Sequence, residues 1–274
     1  MKNISLTMCI LLVLGWSQTF AQKDKKGKLY KECWYKETKV ETPSVTFEVV
    51  DIFANDEVLK FKLRLTNKTN DYLSYDPSNM EIQINGRTEK PIERPMLLEP
   101  NGTASRVVNI SGGDLRVANF ALVLKGLNRI PTDVPALTSP DFKLPAEVNT
   151  FEVGKFLVMH KMTEKKTDYT GVKFEIKYNG SGVGFFDPTA VSMKMPSGNV
   201  FANMSTRRKG MVLFPGDSDG VVVSWRDINI SNGDMQFANM LLMFGNAFKE
   251  SKLVPLGSSS VNIEFDPGYT DGKN

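Results

Sequence analysis

Much of enzyme chemistry draws on histidine and cysteine, and this chain has one histidine, His160, and two cysteines, Cys9 and Cys33. That scarcity excludes multi-histidine zinc sites and a disulfide framework, and a Ser-His-Asp triad would have to use His160. His160 closes the apolar run Phe156-Leu157-Val158-Met159 and reads as a strand-end residue rather than a general base. No Ser-x-x-Lys occurs beyond residue 21, so a lysine-activated serine has no local signature. Gly180-Ser181-Gly182-Val183-Gly184 fits neither Gly-x-Ser-x-Gly nor Gly-x-Gly-x-x-Gly and reads as a hairpin connection. Asp217-Ser218-Asp219-Gly220 is the richest oxygen cluster. It is a candidate Ca²⁺ site, but it falls far short of an EF-hand loop and reads as a turn. A glycosidase pair of carboxylates is spatial and leaves no mark in a sequence. The expectation is a chain that is not an enzyme, with no catalytic, cofactor or metal residue.

The elements around these residues begin with an export signal. Residues 1–21 combine Lys2, an apolar stretch from Ile4 to Trp16, and Thr19-Phe20-Ala21 before Gln22, the pattern of a cleaved secretory signal peptide. Secretion or a periplasmic location is expected, with cleavage after Ala21 and no later apolar run of the roughly 20 residues that span a bilayer. The formal charge of +3 over 274 residues is too small to imply nucleic acid. Residues 22–44 carry seven lysines against four acids and read as a basic, solvated arm. Export leaves Cys33 unpaired. It reads as buried beside Trp34, with a covalent dimer through Cys33 as the alternative.

A repeat sets the expected architecture. Residues 109–122 (Asn-Ile-Ser-Gly-Gly-Asp-Leu-Arg-Val-Ala-Asn-Phe-Ala-Leu) match residues 229–242 (Asn-Ile-Ser-Asn-Gly-Asp-Met-Gln-Phe-Ala-Asn-Met-Leu-Leu) at eight of 14 positions. Phe61–Leu65 matches Phe174–Tyr178, Tyr75-Asp76-Pro77 matches Phe186-Asp187-Pro188, and Met96–Pro100 matches Met211–Pro215. Offsets of 111 to 120 between these landmarks are what loop insertions produce between fixed strands. In Leu59-Lys60-Phe61-Lys62-Leu63-Arg64-Leu65 and Val172-Lys173-Phe174-Glu175-Ile176-Lys177-Tyr178 the strict alternation specifies half-buried antiparallel strands. Asn85-Gly86, Asn101-Gly102, Asn179-Gly180 and Ser197-Gly198 punctuate them as turns. The fold expected is all-β: two tandem immunoglobulin-like antiparallel sandwiches related by internal duplication, at residues 45–147 and 148–268, with a tail at 269–274. Ser111 with Asp114, and Ser231 with Asp234, have capping-box-like spacing and are expected to hold equivalent turns. Nine methionines, from Met159 to Met243, crowd the second repeat; this sequence leaves core and surface roles open for them.

Signal peptide, Phe-x-Leu-x-Leu strand, Asp-Pro, and Pro-Gly or Pro-Asn-Gly before the late strands together resemble secreted or periplasmic bacterial proteins with tandem telokin-like domains. The resemblance spans residues 43–265, implies a sandwich fold in the cell envelope, and transfers no functional residue. The expected role is a non-catalytic structural or ligand-binding module whose partner is an envelope protein or a glycan. One alternative is an assembly chaperone offering Phe120-Ala121-Leu122-Val123-Leu124, ending in Asn128-Arg129-Ile130-Pro131, as an edge strand. The other is a carbohydrate binder or carbohydrate-active protein, for which Trp34, Tyr35 and Trp225 are the aromatic candidates.

Overall fold

Alternation becomes strand as expected: Leu59, Phe61, Leu63 and Leu65 are fully buried within one ten-residue strand, while Lys60, Lys62 and Arg64 lie on its other face. The computed structural model describes residues 30–205, 210–228 and 234–273; the expected signal peptide, Lys23 to Lys28 of the arm, and Ser231 lie outside them. The chain is all-β and antiparallel. It divides into two units, one formed by the chain up to Leu127 together with Leu256 onward, the other by Asn128–Pro255.

Unit 1 contains β1 (Cys33–Trp34), β2 (Thr38–Glu41), β3 (Val45–Ala54), β4 (Val58–Asn67) and β5 (Tyr72–Tyr75). It continues with β6 (Glu81–Ile84), β7 (Arg87–Glu89), β8 (Met96–Leu98), β9 (Thr103–Ser111) and β10 (Asn119–Leu124). The chain leaves along β11 (Leu127–Ile130) and, in unit 2, forms β12 (Phe142–Leu144), β13 (Thr150–Val153), β14 (Phe156–Lys166) and β15 (Tyr169–Tyr178). Then come β16 (Val183–Phe186), β17 (Ser192–Lys194), β18 (Val200–Ala202), β19 (Met211–Leu213) and β20 (Ser218–Arg226). Unit 2 closes with β21 (Met240–Met243), β22 (Phe248–Ser251) and β23 (Val254–Pro255), after which β24 (Ser259–Glu264) and the short helix α1 (Pro267–Lys273) belong to unit 1.

Each unit sandwiches a core between sheets. In unit 1 the sheet β1-β3-β4-β9, with β2 also on β3, and the sheet β24-β10-β6-β7 meet in a core of Phe61, Leu63, Ile82, Leu122 and Ile263 among others. In unit 2 the sheets β13-β14-β15-β20 and β12-β21-β17-β18 enclose Phe142, Val158, Phe174, Trp225 and Leu242. Met193, Met195, Met235 and Met240 fill that core, whereas Met162 and Met204 are exposed.

The units do not divide at the expected boundary near residue 147. By the repeat offset of about 120, β10 corresponds to β21, and Phe142-Lys143-Leu144 corresponds to Val261-Asn262-Ile263. Phe142 pairs with Leu242 and Leu144 with Met240, inside unit 2. Val261 pairs with Leu122 and Ile263 with Phe120, inside unit 1. Each unit therefore takes its last strand from the other half of the chain. The physical reason is that both strands present two apolar side chains around a polar one, so either fits either acceptor.

The termini also differ from expectation. The basic arm is tied down where it is described, although its lysines stay exposed: Tyr30, Cys33 and Tyr35 enter the core, β2 pairs with β3, and Lys36 and Lys39 bond Glu264 and Glu41 at 2.9 and 2.6 Å on the surface. Of the expected tail, residues 269–273 are helical, and Thr270 is buried.

Two similar turns occur, one in each unit. Asp76 Oδ1 accepts from Ser78 N at 3.0 Å and caps the turn Pro77–Asn79; Asp187 Oδ1 accepts from Thr189 N at 2.8 Å and caps Pro188–Ala190. Between β6 and β7, Asn85 and Gly86 both take positive φ, 50° and 72°, as a tight two-residue hairpin demands.

The exchange assigns each terminal strand to a core it must stabilise. Ile263→Ala is expected to destabilise unit 1, read as exposure of the Cys33 thiol, by about 2–5 kcal/mol. Leu144→Ala is expected to do the same to unit 2, read by Trp225 fluorescence. The opposite assignment of losses would contradict the exchange.

Candidate functional site

The sequence candidates scatter through the cores and turns. His160 is not at a strand end as expected but in the middle of β14, beside a bulge; its Nε2 lies 2.7 Å from Thr163 Oγ1, and its ring packs at 5.4 Å from Phe142. Asp217 Oδ2 accepts from Phe214 N at 2.9 Å and closes a turn, whereas Ser218, Asp219 and Gly220 begin β20 rather than continuing that turn, with Asp219 Oδ1 accepting from Gly220 N at 2.7 Å. In the glycine-rich loop a Cβ on Gly182 would sit 2.2 Å from Ser251 O, and one on Gly184 2.6 Å from the Phe156 ring. Close packing explains those glycines. Strand β10 is paired on both sides, with β6 and with β24, so the edge the chaperone alternative needed is occupied, and Asn128 and Arg129 pair with β23.

Asp114 and Asp234 do not hold equivalent turns. Asp234 Oδ1 accepts from Gln236 N at 2.7 Å and Oδ2 from Thr167 Oγ1 at 3.2 Å. Asp114 sits at φ 55° and contributes its carbonyl, which accepts from Asn85 Nδ2 at 2.6 Å. The shared Asp thus serves as a cap in one unit and a left-handed corner in the other.

Cys33 is fully buried, so a disulfide to a second chain would require unit 1 to open. Burial pushes its thiol from 9.0 up to about 11, and burial likewise raises the Tyr35 phenol.

Of the three aromatic candidates for a sugar face, Tyr35 is buried with its hydroxyl donating to Val117 O at 3.0 Å. Trp225 is buried too, with Nε1 donating to Phe201 O at 3.0 Å. Trp34 remains. It lines a shallow depression of about 340 Å³ on unit 1 with Asp51, Phe53, Lys60, Lys62 and Val107, near the lower end of ligand-site volumes.

A β-bulge builds this site. Pairing runs Val50↔Lys62 and then Phe53↔Lys60, so β3 spends three residues where β4 spends two. Asp51 takes the left-handed conformation, φ 53°, as bulges often require. The extra residue reverses the parity of the strand. Ile52 and Ala54 turn into the core, and Phe53 moves to the outer face. One cross-strand row on that face then reads Trp34, Phe53, Lys60, Asn109, and the next reads Val50, Lys62, Val107.

The Trp34 and Phe53 rings lie 5.4 Å apart at 36°, and Tyr269 of α1 meets Trp34 edge-on at 5.5 Å. Lys273 Nζ stands 5.6 Å from the Trp34 ring centroid, a cation–π contact. Trp34 is fixed through its backbone: its N–H donates to Thr270 Oγ1 at 2.9 Å, and its carbonyl accepts from Asp266 N at 2.8 Å. The indole Nε1–H, shielded from solvent, meets no acceptor among the described residues. An unsatisfied buried donor costs about 1–3 kcal/mol, and packing alone returns nothing for it. Phe53 was not legible as a site residue, because simple alternation from Phe47 and Val49 turns it inward; Asp51 in an apolar run is the one signal of the bulge.

A larger groove of about 540 Å³ in unit 2 has no aromatic ring among its lining residues, and its Lys143 is tied to Glu147 at 2.9 Å. Unit 2 also keeps a bulge in β14, between His160 and Met162. The outward row there is Met162, Lys173, Val222, with no aromatic pair.

No family model and no curated protein matches the chain. Among solved structures, the secreted serine protease VesC from Vibrio cholerae aligns at 10% identity with a TM-score of 0.19, over 85% of this chain and 51% of that one. The GH31 α-xylosidase from Xanthomonas citri aligns at 11% identity and a TM-score of 0.15, over 91% of this chain and 34% of that one. The chain spans about half of the first and a third of the second. Likeness this slight carries no argument about fold or activity.

Two outcomes follow from these environments. The Cys33 thiol and the Tyr35 phenol are neutral when protonated, and the folded state raises both pKa values. The stability they protect is complete below pH 9 and drains as pH climbs from 9.0 toward about 11. Cys33 is expected to resist a thiol reagent in native protein at pH 8 and to react on unfolding, with unit 1 melting progressively lower between pH 9 and 11; ready native labelling at pH 8 would contradict its burial. Asp234→Ala is expected to cost about 0.5–2 kcal/mol through the lost cap. Asp114→Gly is expected to cost little in denaturant titration, because glycine accepts positive φ freely.

Proposed function

We propose that this chain is a non-catalytic module, exported to the bacterial cell envelope, that binds a glycan on the outer face of unit 1. The carrying observation is the row Trp34, Phe53, Lys60: a ring pair beside a cation, placed on a solvent face by a bulge. Sheet faces of this kind usually carry polar side chains, and unit 2 manages without any such pair, so the fold does not require it. A pyranose ring has an apolar face of C–H bonds that packs on an aromatic plane, whose face carries negative charge. The open, shallow shape suits a chain passing over the surface. The signal-peptide pattern of residues 1–21 and the resemblance to telokin-like tandem proteins support the envelope location. The non-catalytic reading rests on His160 and Cys33, whose neighbours give neither a reacting partner.

Trp34 emission offers the test. Titration with a panel of neutral and acidic oligosaccharides is expected to change fluorescence with at least one of them. Trp34→Ala and Phe53→Ala are each expected to weaken that binding about tenfold or more, the scale of one lost aromatic contact. Phe53→Ala keeps the backbone anchors of Trp34 and so separates lost binding from lost folding. Binding unaffected by both variants, or no saccharide bound at all, would overturn the reading.

A further inference from the structure

Strand β4 carries three outward cations, and they are treated differently. Arg64 is neutralised by Glu48, with Nη1 3.1 Å from Oε2. Lys60 and Lys62, which line the Trp34 depression, make no ion pair among the described residues. They stand two residues apart on one face of a strand, so their attachment points are about 6.6 Å apart. The matching strand of unit 2 handles the same positions otherwise. Lys173 faces solvent there, and Glu175 is held by Lys161 at 2.7 Å and by Ser218 at 2.8 Å. Two open ammonium groups therefore coincide with the aromatic pair in unit 1, and neither the pair nor the second cation occurs in the unit 2 counterpart.

We infer that the ligand of this face is an acidic saccharide whose carboxylate is held between Lys60 and Lys62 while a neighbouring sugar ring lies on Trp34 and Phe53. The inference rests on the binding-face reading above and deepens it. Each strand-to-strand step is about 4.8 Å, so the row from Trp34 through Phe53 to Lys60 covers about two sugar rings. A carboxylate bridging two ammonium groups makes charge-assisted hydrogen bonds, about twice the strength of neutral ones. The remaining lining groups suit the rest of such a ligand. Val107 gives an apolar floor and the Asp51 carboxylate accepts from hydroxyls, and Asn109, outside the depression but opposite Lys60 on β9, both donates and accepts. Lys273, over the Trp34 ring, adds a third cation at the aromatic end. Asp51, with Glu37 Oε1 3.5 Å from its amide, brings negative charge on β3 beside Val50, which opposes Lys62, while Val107 flanks Lys62 from β9. A ligand of mixed hydroxyl and carboxylate character meets all of these groups; a neutral glycan can accept hydrogen bonds from the lysines but leaves their charge uncompensated.

The full chain from Gln22 onward is titrated with oligomers of galacturonate, of mannuronate and of hyaluronan, each with its carboxylates intact and again with them reduced to alcohols. At least one intact oligomer is expected to bind about tenfold or more tightly than its reduced form, and to weaken with added salt. Lys60→Gln/Lys62→Gln is expected to erase that preference without moving the melting temperature, since both side chains project from the outer face. Lys173→Gln in unit 2 serves as the control and is expected to change nothing. Equal binding of intact and reduced oligomers, lost in Trp34→Ala, would leave the glycan face standing and overturn its acidic specificity. Binding of none of these oligomers would overturn the acidic specificity, and the glycan face falls with it only if the neutral panel above also fails to bind. Vesicles of phosphatidylglycerol and inorganic phosphate are run beside them, and binding to either through Lys60 and Lys62, with no oligosaccharide bound, would replace the saccharide by an anionic headgroup and overturn the inference.

Discussion

The pairing of β24 with β10 is the interaction on which the rest of unit 1 depends. Without it the β10 backbone becomes an open sheet edge beside the core residues Leu122 and Phe120, and Val261 and Ile263 lose their burial, each such side chain being worth about 1.5–3 kcal/mol. The same segment then reaches the beginning of the chain. Tyr35 bridges to Phe265, Lys36 N donates to Glu264 O at 2.8 Å, and the Trp34 backbone is bonded by Asp266 and Thr270. Strand β1 has only two residues and pairs with β3 on one side, so the returning C-terminal segment is what holds it on the other. Trp34 occupies a defined place because two distant stretches of chain are stitched together there.

Against that rigid frame, one inserted residue converts a plain sheet face into a ring-and-cation surface. A bulge costs a ladder contact and a strained Asp51, yet it leaves the core intact, because Ile52 and Ala54 take over the inward positions. Unit 2 also carries a bulge, between His160 and Met162 in β14, and displays different chemistry there. Displaying Phe53 beside Trp34 in one case and Met162 in the other is a difference in surface chemistry on a common backbone device.

Much of the architecture was legible because it is local. Period-two alternation in 59–65 and 172–178 gave strands, Asn85-Gly86 gave its hairpin, and Asp76-Pro77 with Asp187-Pro188 became capped turns at matched places. Strand partners are not local. Phe142-Lys143-Leu144 and Val261-Asn262-Ile263 carry the same pattern, so nothing in either run says which sheet edge it will complete, and contiguous repeats were the natural assumption. Parity inversion at Asp51 is invisible for a related reason: a bulge moves every later side chain across the sheet without changing a letter of the pattern. Exposure of aromatics failed in the same way, with Tyr35 and Trp225 drawn into cores that only tertiary packing defines.

The exchange of terminal strands carries the account, because both core 1 and the placement of Trp34 follow from it. Directly opposed residues on antiparallel strands lie within disulfide reach, about 4.5–5.5 Å between Cα atoms. Asn262 is opposed by Ala121 in unit 1; contiguous repeats would instead set it against Leu241, the position matched to Ala121 in β21. In a Cys33→Ser background, Asn262→Cys is combined once with Ala121→Cys and once with Leu241→Cys, and each protein is oxidised under native conditions. Rapid intramolecular cross-linking of 262 with 121 and none with 241 is the expected result, and cross-linking of 262 with 241 instead would contradict it.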